Sequence, residues 1–247
     1  MALPILPKTS HVLKSEFIPG GKLEFTPFTV GQQSILLGVK DSKKPEEKIV
    51  AIKQIVNECI STPGVSVENL PVFVVENIFL KMRQYSLGEE LSFKYICKNE
   101  VLKSTSGDEV YGPCDTEMDV KIDLASVNLK TYKDHSLTVK ITDTIGIKFK
   151  YPTLQIAEEL KEKTDETSLI VKCIDMVFDG EDVTHAKDCT EDQLKEFFDS
   201  FTLEQQKKVY STFVATTPHI YLEHEKTCPS CGKKHTIKFQ ELLSFFQ

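Results

Sequence analysis

The 247 residues carry a formal net charge of −7, with 40% hydrophobic and 27% charged residues, and among 30 basic side chains Arg83 is the single arginine. This is the composition of a soluble globular chain with enough length for one large or two small cores. It counts against a phosphate-binding surface, which needs clustered Lys and Arg, and against bidentate arginine clamps.

Residues 1–19 read as an N-terminal tail, with three prolines and no periodicity. The apolar start lacks the charged head and long apolar stretch of a signal peptide, and no run approaches the roughly 20 apolar residues of a membrane span. The expected place of the chain is therefore the cytosol, without membrane contact. Leu23 and Phe25 alternate with charged residues, the pattern of a half-buried strand. Thr29 is placed to cap a helix over about 30–40. Glu47–Ile60 carries a broad apolar stripe, ended by Thr62-Pro63-Gly64. Val67–Tyr85 is dense enough in apolar residues for a helix buried on most sides, and Gly88 ends it. Leu91–Ile96 and Met118–Leu124 alternate and predict a β-hairpin with a long turn carrying Cys97 and Cys114.

The plan then recurs. Strands are expected at Ser136–Ile141 and Gly146–Tyr151, and helices at Thr153–Lys163 and Glu166–Phe178, the latter stopped by Asp179-Gly180. An acidic loop with Glu181, Asp182 and Asp188 follows. Thr190 and Thr202 each precede a glutamine by three residues, the capping-box spacing that starts a helix. Ile220–Glu225 and His235–Phe239 form a second hairpin around Cys228-Pro229-Ser230-Cys231-Gly232, and a short helix is expected at Leu242–Phe246. The predicted fold is α+β, in two related halves, 20–130 and 131–247. Each half is a helical segment plus a β-hairpin with a cysteine knuckle at its turn.

Seven cysteines in such a chain point to thiols or metal ligands rather than disulfides. Cys-x-x-Cys-Gly at a hairpin turn aims two thiolates at one point, and Gly232 relaxes the backbone that curls around them. Structural zinc normally takes four N or S ligands. Cys97 and Cys114 hold the matching places in the first hairpin, with the sixteen residues 98–113 as an insertion between them. The expected site is Cys97, Cys114, Cys228 and Cys231 around one structural zinc. Three alternatives stay open: His224 or His235 as local ligands, facing each other across the hairpin; a knuckle without metal; or a redox pair at Cys228/Cys231. Cys59 and Cys173 read as core residues, and Cys189, among acidic neighbours, is a poor nucleophile.

No phosphate-cradling glycine loop, metalloprotease helix or nucleophile elbow is present. The six histidines (His11, His135, His185, His219, His224 and His235) are dispersed. No residue satisfies a catalytic checklist, so no catalytic residues and no enzyme activity are expected.

Leu23–Val30, Leu91–Cys97, Cys114–Leu124 and Glu223–Phe239, in this order of helices and cysteine hairpins, resemble the baseplate hub assembly proteins of T4-like contractile-tailed bacteriophages. The departure is the wide spacing of the first cysteine pair. The resemblance implies a non-enzymatic protein that helps build the central hub of the tail baseplate, as a hub component or an assembly factor. Its partners would be other tail and hub proteins, not nucleic acid, and its place the host cytoplasm during assembly or the virion tail. The tail 1–19 and the insertion 98–113 are the candidate partner contacts. Two rival readings are a zinc-ribbon nucleic-acid-binding or regulatory protein, with Lys226, Lys233, Lys234 and Lys238 around the knuckle, and a metal-dependent hydrolase. The hydrolase would need an open coordination position, which four thiolates close.

Overall fold

The structure is a computed structural model that describes residues 7, 9–104, 109–159 and 166–239. The helix expected at Leu242–Phe246 and the end of the one expected at Thr153–Lys163 lie outside the described residues. Strand β1 (His11–Lys14) pairs antiparallel with β2 (Lys22–Phe25), His11 opposite Phe25 and Lys14 opposite Lys22. The strand at 11–14 lies in what the sequence predicts as irregular tail. Four residues give too few alternations for periodicity to register. Leu23 and Phe25 face inward and Lys22 and Glu24 outward, as the alternation requires.

Helix α1 (Val30–Val39) starts on a reciprocal cap. The Gln32 N–H donates to Thr29 Oγ1, and the Thr29 N–H donates to Gln32 Oε1 at 2.8 Å. Losing the threonine oxygen leaves a free helix N–H, so Thr29→Ala is expected to cost about 1 kcal/mol of stability in urea unfolding. Helix α2 (Pro45–Cys59) buries Ile52, Ile55, Val56 and Cys59, spaced three and four apart on one face. Helix α3 (Val72–Leu87) buries seven residues from Phe73 to Met82, which makes it the central element of the first core. It ends where Gly88 takes a φ of 98°.

Strand β3 (Glu90–Ile96) pairs with β6 (Glu117–Asp123), and between them a small hairpin, β4 (Glu100–Ser104) with β5 (Val110–Pro113), loops out. A tight turn leads to β7 (Asn128–Lys130). Strands β8 (Thr138–Lys140) and β9 (Ile145–Phe149) precede helices α4 (Leu154–Glu159) and α5 (Glu166–Lys172). Then come β10 (Ile174–Asp179) and β11 (Asp182–His185), completing an antiparallel sheet in the order β11-β10-β9-β8. The helix predicted over Glu166–Phe178 thus ends at Lys172, and from Ile174 onward the chain is a strand. Asp179-Gly180 is not a helix stop but a two-residue-loop hairpin, Asp179 opposite Asp182, with Gly180 at φ 61°. The predicted acidic loop is β11 for half its length.

Helices α6 (Glu191–Asp199) and α7 (Leu203–Val209) carry the two expected capping boxes, at Thr190 and Thr202. A wider turn at Tyr210–Val214 leads to β12 (His219–Thr227) and β13 (Lys234–Phe239). Strand β12 is long enough for two neighbours. His219–Tyr221 pairs with β7, and Leu222–Thr227 pairs with β13.

The buried side chains fall into two main clusters. The first takes its members from Ile18 to Leu154 and adds Ile220, Ile237 and Phe239 from the C-terminal hairpin. The second lies wholly within Val139–Phe213. The pairing of β12 with β7 and the burial of Ile237 and Phe239 therefore join the C-terminal hairpin to the first part of the chain. Tyr151 packs on both clusters, edge-on to Phe17 and Phe73 and stacked on His135.

His135 sits between Thr216 Oγ1, 2.9 Å from Nδ1, and Tyr151 Oη, 3.0 Å from Nε2. Burial holds its pKa below the ordinary value. On acidification the unfolded chain takes up this proton first, near pH ~6.5, and the folded chain only lower down. Its contribution is expected to be intact above that value and to fade as the pH drops through the lowered folded value. Urea unfolding between pH 7.5 and 5.5 checks this, with a shallower pH dependence expected for His135→Gln.

Candidate metal centre

The first knuckle forms where β3 runs out. The Cys97 N–H donates to Thr116 O at 2.9 Å, and the Asp115 N–H donates back to Cys97 O at 2.8 Å. The Cys114 N–H donates to Asn99 O at 2.7 Å, closing the base from which β4 and β5 project. The sixteen-residue spacing therefore does not separate the two sulfurs. The described part of the insertion leaves along β4 and returns along β5.

The second knuckle repeats this wiring. The Cys228 N–H donates to Lys233 O at 2.8 Å, and the Gly232 N–H donates to Cys228 O at 3.0 Å. In both, the residue after the second cysteine has a left-handed backbone: Asp115 at φ 56° and Gly232 at φ 72°. Asp115 is the non-glycine residue with positive φ among the described residues. Aspartate is one of the few side chains that tolerate this region. Cys97 thus corresponds to Cys228, and Cys114 to Cys231, at the level of individual hydrogen bonds.

The two knuckles meet face to face. Cys97 Sγ lies 3.7 Å from Cys231 Sγ, and Cys114 Sγ lies 3.8 Å from Cys228 Sγ. All four sulfurs lie within 4.8 Å of one another. A tetrahedron of sulfurs around zinc, with Zn–S about 2.3 Å, has an edge of about 3.8 Å. A disulfide would need about 2.05 Å, and the cysteines are free thiols. Cys97 and Cys228 are buried, Cys114 and Cys231 are half-buried, and Tyr95 and Met118 pack around them. The donor set and spacing are compatible with a tetrahedral metal.

Polar groups surround the sulfurs. His235 Nε2 lies 3.1 Å from Cys97 Sγ, Thr116 Oγ1 lies 3.1 Å from Cys114 Sγ, and Asn99 Nδ2 donates to Cys231 Sγ at 3.7 Å. The backbone N–H groups of Cys231 and Ser230 hold the Cys228 thiol down to about 6, against the opposing effect of burial. Burial pushes Cys97 up to about 12.

The expected facing of His224 and His235 is corrected by the register. His224 is opposite Ile237, and His235 is opposite Lys226. Of the lysines near the knuckle, Lys238 is in an ion pair with Glu223 at 3.4 Å. Cys59 and Cys173 are core residues, as their apolar surroundings predict, and burial pushes the Cys173 thiol up to about 12. Cys189 stands apart, its Sγ donating to His185 O at 3.7 Å. Sequence reasoning missed Asn99, Asp115 and Thr116. Matching the two cysteine pairs position by position would have set Asp115 against Gly232.

A family model described as T4 bacteriophage base plate protein matches residues 10–247. This chain belongs to the T4 bacteriophage base plate protein family. No curated protein and no solved structure matches it. The family match spans both cysteine knuckles and both buried clusters, from β1 to β13. It supports a structural role in the phage baseplate. Among the described residues, no helix of this baseplate protein is long and apolar enough to cross a membrane.

Proposed function

We propose that this baseplate protein acts in assembly of the central hub of a contractile tail, as a hub component or an assembly factor, through protein–protein contacts and without catalysis. The observation that carries this reading is the family match from residue 10 to 247, which takes in every described strand and helix. The cysteine cluster is compatible with this reading, because four sulfurs around one metal would close it to a substrate. Other tail and hub proteins are its partners in this reading, and it works in the host cytoplasm during assembly or in the virion tail.

The contact surface proposed for those partners includes the β4–β5 hairpin. Leu102, Val110 and Tyr111 on it are 43%, 53% and 58% exposed, a concentration of apolar surface on one projecting element. Replacing residues 98–113 by Pro-Ser copies the short second knuckle and removes that surface while keeping all four cysteines. Affinity capture of the tagged full chain from infected cells, read by mass spectrometry, tests the reading. Hub proteins are expected with the natural chain and are expected to be depleted with the shortened one. Capture of nucleic acid in their place, lost steeply as salt rises, would favour the nucleic-acid reading instead.

A further inference from the structure

We infer that Cys97, Cys114, Cys228 and Cys231 bind one zinc ion as a closed structural site, with His235 and Asn99 as hydrogen-bond donors to its sulfurs rather than as ligands. The inference stands on the geometry of the two knuckles and is independent of the hub role.

Three observations converge on it. The first is the sulfur spacing, 3.7 and 3.8 Å across the two pairs, which matches the edge of a ZnS4 tetrahedron and not a disulfide. The second is the duplicated wiring of the turns. Each pins its first cysteine by two backbone hydrogen bonds and turns on a left-handed residue. One such turn is a common hairpin end. Two of them, from segments more than a hundred residues apart and aimed at one point, make a built site. The third is the shell of donors. Four thiolates on one zinc carry a net charge of −2, and side-chain N–H groups on the sulfurs spread that charge. His235 and Asn99 each reach one of the two sulfurs of the Cys97–Cys231 pair.

His235 is the one plausible competitor for a ligand position. The group whose ligand atoms all lie mutually within 4.8 Å is the four cysteines. His235 meets Cys97 Sγ at 3.1 Å, inside the roughly 3.6 Å separation of two ligands on one tetrahedral zinc, so its geometry is that of a hydrogen bond to sulfur. Imidazole N–H donation to a zinc thiolate also fixes the ring tautomer, leaving Nδ1 as the free nitrogen.

The test uses the full chain purified without chelator. About one zinc per chain is expected, and less than about a tenth would overturn the inference. X-ray absorption at the zinc edge is expected to show four sulfurs near 2.3 Å, whereas three sulfurs and one nitrogen would overturn the ligand set. Cobalt added to the metal-free chain should give the intense visible bands of a tetrahedral thiolate complex; a weak octahedral spectrum would contradict the site. Cys189→Ser, outside the cluster, should keep its zinc. His235→Ala should keep one equivalent with affinity lowered about 10–100-fold, and loss of the metal altogether would make His235 a ligand and overturn its assigned role. The absorption measurement needs no variant, so the inference stays open to refutation even if cysteine substitutions fail to fold.

Discussion

For the zinc site inferred above, removing the ion with a strong chelator is expected to lower the unfolding free energy by about 4 kcal/mol, the value for free zinc at a thousandfold excess over its dissociation constant. The loss should be local. Strands β12 and β13 are anchored at their base by Ile220, Ile237 and Phe239 in the first cluster, and toward their tip by Cys228, Cys231 and His235 against the first knuckle. Without metal, the tie of the tip to the first knuckle falls back on side-chain contacts such as those of His235 and Asn99 with the sulfurs, while the base stays packed. Cys97 and Cys228 would also be left as buried thiols with nothing at the centre of the tetrahedron. Hydrogen exchange is therefore expected to quicken first at 97–99, 114–118 and 226–235, with the Val139–Phe213 cluster unchanged. Urea unfolding with and without zinc gives the magnitude, and exchange read by mass spectrometry gives the place.

Phe149→Ala is expected to cost about 3–5 kcal/mol, in the range for a large buried aromatic. Phe149 is 1% exposed and stacks on Phe213 with ring centroids 4.4 Å apart. Val139, Ile147, Ile170 and Ile174 belong to the same cluster, so no solvent-facing rearrangement can refill the space. The cysteine centre belongs to another part of the packing. The variant should therefore lose most of its second-cluster stability and still retain about one zinc per chain. Loss of both together in unfolding and metal analysis would mean that the two clusters fold as one unit.

The elements most legible in the sequence are those whose signal is local chemistry. Thr29, Thr190 and Thr202 each meet a glutamine three residues on, and all three form reciprocal caps. The cysteine pairs were legible because a hairpin turn returns its two ends to one place whatever length is inserted between them. Residues 173–179 were misread for a physical reason. Cys173, Ile174, Val177 and Phe178 follow an amphipathic helix without a break, and a short apolar run fits a buried strand as well as another helical turn. Here the β-branched residues and the Asp179-Gly180 hairpin turn decide for the strand. The pairing of β12 with β7 left no mark in the sequence. It joins Ile220 to Leu129 across some ninety residues, and nothing in either strand names its partner. Asp115 was hidden differently, because its left-handed turn is one that glycine ordinarily signals.

The most direct test of the hub role is electron microscopy of baseplates from cells infected with a phage that cannot make this chain. The account predicts baseplates without a central hub, restored when the natural chain is supplied in trans. Complete hubs in its absence would contradict it.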